Sequence, residues 1–379
     1  MKAVIAAYAR SPFHFATKGA LAKTRPDTLA AQTVKGLLGR VDLDPALLED
    51  LILGCAYPEG PQGNNLARIV GFLAGLPEHV GGMTVNRFCG SSMSSIHVAA
   101  AQIEAGIGEA YVAAGVESMT MVPQGGLTFD PSPELIASYP DAYMAMGQTA
   151  ENVAQRWNVS RADQEQLAFV SHRKAAAARE QGLLKDEIVP ITTPDGQVID
   201  TDGCIRPGTS LEALANLKPA FRPDGVVTAG TSSPLTDGAA AVLVVHEDFA
   251  ARHGLVPLAR IRTFASIGCD PAVMGIGPVP ATRKALARAG LTAADLDIVE
   301  INEAFGSQAL ACIRELGLDI DKVNVDGGAL ALGHPLGATG ARITGKAAAL
   351  LARTKGRYAL STQCIGGGQG IATILESLA

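Results

Sequence analysis

The chain has 379 residues, enough for two or three domains, and 47% of them are apolar against 18% charged, which excludes general disorder. Aromatics are only 4% while glycines number 42, so the core must be aliphatic and built from layers that approach closely. A net charge of −6 with no run of five basic residues argues against a nucleic-acid partner, and no stretch of 18 apolar residues predicts a membrane span.

The start, Met1 to Arg10, is apolar but short, a leader's apolar region would be interrupted by Arg10 and His14, and the stretch reads as a buried strand over Ala3–Tyr8 instead. Asp27 is the expected cap of a helix over Thr28–Arg40. Strands are expected at Leu51–Leu53 and Met83–Val85, a helix at Gly90–Ala105 and a strand at Ala110–Ala114. Later, Ala259–Phe264 reads as a strand, Thr282–Ala289 as a helix, Phe305–Leu316 as a helix, Thr339–Arg353 as a helix and Tyr358–Thr362 as a strand. Strands alternating with helices predict an α/β fold with a largely parallel sheet.

The second part repeats the first. The run from Leu291 to Asn302 echoes the run from Leu43 to Gly54. The stretch after Glu117 fits neither copy and carries two strong helical patterns, Gly147–Trp157 and Arg161–Gln181. The expected organisation is an N-terminal half over 1–117, an insert over 118–238 and a C-terminal half over 239–379. Residues 239–246 are expected to return to the first sheet.

Six cysteines (55, 89, 204, 269, 312 and 364) show no paired spacing, which predicts free thiols in a reducing compartment. Cys89 lies between a strand and a helix, in Asn86-Arg-Phe-Cys-Gly-Ser-Ser-Met93. There the helix dipole is expected to lower the thiol toward thiolate. A structural cysteine is the alternative. His334 sits in a glycine-rich loop, Gly327-Gly-Ala-Leu-Ala-Leu-Gly-His-Pro-Leu-Gly337, at the place in the second copy that Cys89 holds in the first. A Cys–His pair suits nucleophilic acyl chemistry, and a phosphate-binding loop is the rival reading. Cys364 follows a strand and precedes Ile365-Gly-Gly-Gly-Gln-Gly370, whose N–H groups can line an oxyanion hole. Asn302 stands at the C-terminal end of a strand, either facing a ligand or capping the next helix. Cys312 reads as core.

Four motifs, namely the Cys89 run, Asn302-Glu-Ala-Phe305, Gly333-His-Pro-Leu-Gly-Ala-Thr-Gly340 and Cys364-Ile-Gly-Gly-Gly-Gln-Gly370, together resemble the thiolases over essentially the whole chain. The resemblance implies a duplicated five-layer α-β-α-β-α core with a loop domain inserted in the first half. It implies thiolysis of 3-ketoacyl-CoA, with CoA as co-substrate, no tightly bound cofactor and no metal. Cys89 would carry the acyl group, His334 would activate it and Cys364 would move protons. Asn302, through a water, would join His334 in holding the enolate oxygen. The N–H groups of Cys89 and Gly366 would hold the tetrahedral oxyanion. Ser233, Met146 and Met274 match residues along the pantetheine channel.

Lys218, Arg206 and Arg222 in the insert are candidate partners of the CoA phosphates. The Cys89 run and Gly368-Gln-Gly370 look like the degradative branch, which acts in β-oxidation. Ala145 stands where biosynthetic acetoacetyl-CoA thiolases usually carry a histidine, so a wider acyl pocket is expected; a biosynthetic thiolase is the alternative. Three rivals stand beside it: a decarboxylating condensing enzyme, which would lack a second catalytic cysteine at the Cys364 position; a cysteine hydrolase, which would work without CoA; and a non-catalytic acyl-CoA carrier, against which the four filled positions argue. A homodimer or homotetramer in the cytoplasm is expected, with a β-oxidation hydratase or dehydrogenase as a possible partner.

Overall fold

The computed structural model describes residues 1–378. In the first half, strands β1 (Ala3–Arg10), β2 (His14–Phe15), β3 (Asp50–Gly54), β4 (Gly81–Val85) and β5 (Ala110–Ser118) are interleaved with helices α1 (Pro26–Leu38), α2 (Leu66–Ala74) and α3 (Ser91–Glu104). The insert carries α4 (Pro133–Ser138), α5 (Met146–Arg156), α6 (Arg161–Glu180), a two-residue hairpin β6 (Ile191–Thr192) and β7 (Val198–Ile199), and α7 (Leu211–Ala215). Next come β8 (Thr236–His246), α8 (Glu247–Arg252), β9 (Ala259–Gly268), α9 (Pro278–Ala289), β10 (Ile298–Ile301), α10 (Gly306–Leu316), α11 (Ala329–Leu332), α12 (Leu336–Thr354), β11 (Tyr358–Ile365) and β12 (Gln369–Glu376).

The strands run in the order β10-β11-β12-β9-β1-β8-β5-β3-β4. Its two ends mirror one another. β3 pairs in parallel with β4 and β5, β10 pairs in parallel with β11, and an isolated parallel bridge joins Val299 to Val323 where β4 has its counterpart. The halves meet edge to edge where Val4 and Ile5 pair with Arg260 and Ala259. β8 lies between β1 and β5, antiparallel to both.

The expected largely parallel sheet is therefore corrected to a mixed one. A parallel pairing needs a crossover of a dozen residues or so, whereas β11 and β12 are joined only by the Gly366–Gly368 turn and must run antiparallel. The expected cap on the first helix is also displaced. Pro26 occupies the first turn and Arg25 is the cap, while the Asp27 carboxylate accepts the Thr28 N–H at 2.7 Å.

Side chains alternate along each strand, and the alternation builds the layers. Val112, Ala114 and Val116 of β5 join Leu29, Val34 and Leu37 of α1 and Val70 of α2 in an outer core. Tyr111 and Ala113 point the other way, to Ile96 and Ala100 of α3 and Ala347 and Leu351 of α12, in a central core shared with Ile261 of β9 and Ala359 of β11. Ile301, Leu360 and Ile374 turn outward to Ala285 of α9 and Cys312 and Ile313 of α10. The sequence of layers is helix, sheet, helix, sheet, helix, with α3 and α12 in the middle. Cys312 is core, as its sequence context predicts.

Candidate active site

Cys89 and His334 stand at equivalent places. Each lies two residues before the first residue of a central helix, Ser91 of α3 and Leu336 of α12. Those two helices touch near their N-termini. The Ala341 N–H donates to Ser92 Oγ at 2.8 Å, and a Cβ on Gly340 would lie 2.2 Å from the Met93 nitrogen. Only glycine permits that approach.

The Cys89 loop is held in a sparsely populated shape. Phe88 takes φ +43°, in the left-handed region, and its N–H is caught by Asn86 Oδ1 at 2.9 Å. Ser91 Oγ accepts the Arg87 N–H at 2.9 Å and donates to the Phe88 carbonyl at 2.6 Å. Gln363 Nε2 donates to the Cys89 carbonyl, tying the loop to β11 of the other half. The Cys89 sulfur accepts hydrogen bonds from its own N–H and from that of Gly366. These are the two donors expected to form an oxyanion hole.

The expected thiolate is corrected. Burial pushes the Cys89 thiol up to about 11, with the Glu117 charge adding to it, and the bonds from Gly366 and Cys89 do not reverse this. The helix begins beyond Cys89, so its dipole does not overcome the loss of water. Burial also pushes Cys364 well above the ordinary range, reinforced by the nearby Cys89. Both thiols therefore rest protonated.

His334 is buried at 5% exposure. Its backbone N–H donates to Thr236 Oγ1 at 3.1 Å, and its Nδ1 lies 2.6 Å from Thr339 Oγ1. Asn302 Nδ2 lies 3.3 Å from Nε2, so the amide donates to the ring there and the proton sits on Nδ1, facing Thr339. Burial, with the Arg342 guanidinium adding to it, pushes the imidazole down to about 3 and keeps it neutral. Asn302 directly follows β10, is fully buried and has no hydrogen-bond partner for Oδ1; the cap of α10 is Phe305. A neutral imidazole paired with a buried amide that carries a free oxygen can take a proton from an attacking thiol.

Cys364, Met274 and Ala304 form one buried cluster with Met146 and Phe305 against it. The Ser233 N–H donates to the Ala304 carbonyl at 2.9 Å, which brings Ser233 to the same wall. The basic residues are dispersed. Arg222 Nη2 donates to Asn152 Oδ1 at 2.6 Å, the Arg206 guanidinium lies 5.2 Å over the Phe15 ring, and Lys218 is exposed. Ala145 is exposed and caps α5.

Sequence reasoning passed over Thr339, Gln363 and Glu117. For Glu117 a signal was present, since it is a charged residue after a run of seven apolar or small residues in its strand.

A duplicated five-layer core with a cysteine and a histidine at its central helix ends, and a second buried cysteine on β11, defines an acyl-transferring thiol enzyme. Thiolase family models match it twice, the N-terminal domain over residues 3–248 and the C-terminal domain over 255–377. The chain is 47% identical over 387 residues to the 3-ketoacyl-CoA thiolase of Bacillus subtilis, covering 99% of each. It is 48% identical over 382 residues to that of Saccharophagus degradans, covering 98% of this chain and 97% of the relative. The crystal structure of human mitochondrial 3-ketoacyl-CoA thiolase superposes with a TM-score of 0.92 at 39% identity, covering 100% of this chain and 99% of that one. The same human enzyme in complex with CoA also gives 0.92. The chain belongs to the thiolase family.

Proposed function

We propose that this protein cleaves 3-ketoacyl-CoA with CoA, releasing acetyl-CoA and a shortened acyl-CoA, in the degradative direction of fatty-acid β-oxidation. The observation that carries this reading is the placement of Cys89, with Gly366 and Cys364 near it, two residues before one central helix and of His334, paired with Asn302, two residues before the other, in a chain of this family. Cys89 Sγ attacks the 3-keto carbon as His334 Nε2 takes its proton. The N–H groups of Cys89 and Gly366 bind the oxyanion. The C2–C3 bond breaks, its electrons pass into an enolate held by His334 and Asn302, and Cys364 protonates the carbon. Cys364 then takes the proton of CoA, whose sulfur attacks the acyl-Cys89 thioester. Cys89 leaves and recovers its proton from His334.

Met146, Met274 and Ser233 line the pantetheine path in this reading, and the 118–238 insert holds the CoA body, with Lys218, Arg206 and Arg222 as candidate phosphate partners. Exposed apolar side chains on α2 (Ile69, Phe72, Leu73) and in the insert (Phe129, Ile136, Tyr139) support a homo-oligomer, a dimer or tetramer. Sedimentation as a monomer at micromolar concentration overturns that part.

Chain length tests the degradative reading. With no ring at Ala145, each added methylene contributes about 0.8 kcal/mol while the pocket is dry. The kcat/KM should therefore rise from acetoacetyl-CoA to 3-ketohexanoyl- and 3-ketooctanoyl-CoA, and Ala145→His should penalise the longer substrates first. Acetoacetyl-CoA as much the best substrate of the unmodified protein replaces this reading with the biosynthetic thiolase.

A further inference from the structure

Glu117 is the penultimate residue of β5 and is fully enclosed, yet the chemistry above does not use it. Its carboxylate is saturated by donors from two places. Oε2 accepts the Ala56 N–H at 2.8 Å and the Gly337 N–H at 2.9 Å. Oε1 accepts the Tyr57 N–H at 3.2 Å and Gln62 Nε2 at 2.8 Å, with the Cys55 thiol at 3.6 Å.

The first set of donors supports Cys89. The Cys55 carbonyl receives Ser91 Oγ at 3.4 Å, the same hydroxyl that binds Arg87 and Phe88 around Cys89. The Tyr57 ring lies 5.9 Å from that of Phe88. The other donor, Gly337, is three residues from His334, in the first turn of α12, where a buried anion also meets the positive end of the helix. A Cβ on Gly337 would lie 2.7 Å from Glu117 Oε2, so the contact leaves no room for a side chain. Leu336, Ala56, Tyr57 and Cys89 share one apolar cluster around this point.

Resting on the reading of Cys89 and His334 as the reacting pair, we propose that Glu117 is a positioning residue. One carboxylate binds the Ala56–Tyr57 backbone, which abuts the nucleophile's loop through Ser91 and Phe88, and the Gly337 backbone three residues from the base, and so sets their separation. A carboxylate serving only to satisfy buried N–H groups has no reason to draw them from both halves. Asparagine or glutamine in its place offers one acceptor oxygen and brings an NH₂ against the same donors.

The test is steady-state thiolysis by Glu117→Gln and Glu117→Asp, beside mass mapping of the acyl adduct in the unmodified protein. A misplacement of about 1 Å costs on the order of 10²-fold in turnover. Glu117→Gln should lose kcat by about that factor while KM for CoA stays within about twofold, because it touches no CoA-binding residue. Glu117→Asp keeps two oxygens and the charge and should recover part of the loss. Unchanged kcat in Glu117→Gln, or a KM rise at constant kcat, overturns the proposal. If Glu117→Gln does not fold, Glu117→Asp decides: full turnover refutes a positioning role, and a kcat loss at constant KM supports it. Absence of an adduct on Cys89 in the unmodified protein instead overturns the underlying pair.

Discussion

A nucleophile that rests as a thiol beside a neutral histidine behaves unlike a free-standing thiolate. Burial holds Cys89 at about 11 and His334 at about 3, so an ion pair between them is disfavoured before substrate arrives. Proton transfer then accompanies attack, when the oxyanion forms against Cys89 and Gly366. The consequence is measurable with iodoacetamide, which reacts with thiolate only. Between pH 7 and 9 the alkylation rate at Cys89 should climb about tenfold per unit without levelling. A plateau below pH 8 contradicts the protonated resting state. The motif around Cys89 was legible because strand, cysteine, glycine and serine sit consecutively. Its protonation was not, because the enclosing groups come from Tyr57, Glu117 and Ile365-Gly366, far away in the chain.

Helices α3 and α12 deliver the reacting groups, and small residues let them do so. Helix propensity alone makes Gly→Ala in mid-helix favourable by about 0.8–1.0 kcal/mol. At Gly340 the sign should reverse, since the new methyl meets Met93 backbone 2.2 Å away and must push the two helices apart. Gly340→Ala is expected to lower both the thermal midpoint and kcat. An increase in stability with unchanged turnover would show that the helices tolerate separation. Most elements were readable for local reasons: α5 and α6 emerged within a residue or two of their patterns, and the repeat gave β3 and β10 through the Leu43 and Leu291 runs. Strand direction was not readable, because it depends on which strands become neighbours. The lengths of β5, β9 and β11 were also underestimated; β5 ends in Glu117 and Ser118, polar residues buried by partners that the sequence leaves unspecified.

At the scale of the molecule, the insert is tied to both halves by buried charge. Arg10 of β1 reaches Glu187 at 2.8 Å and Asp202 at 2.6 Å in the insert. Glu187 also accepts Lys346 of α12 at 2.8 Å, and Lys346 and Arg353 converge on Asp326 at 2.7 and 2.8 Å. Burial pushes Glu187 and Asp326 up, but the cations more than reverse it, and both end below the usual carboxylate range. A carboxyl held lower in the folded than in the unfolded chain contributes stability at neutral pH. That contribution is complete above the unfolded value, near 4, and disappears as pH falls through the folded one. Arg10→Met leaves Asp202 with the Phe13 N–H and deprives Glu187 of one of two cations. Removing one partner of a buried pair costs about 3–5 kcal/mol. Urea unfolding should show that gap between variant and unmodified protein at pH 7. The gap should narrow below about pH 4 as the same carboxylates protonate in both proteins. A buried acid with a raised value outside the network, such as Glu303, titrates in both and cancels in the difference. A gap that is small at pH 7, or that stays constant into acid, means that the network fixes the insert by shape and not by charge.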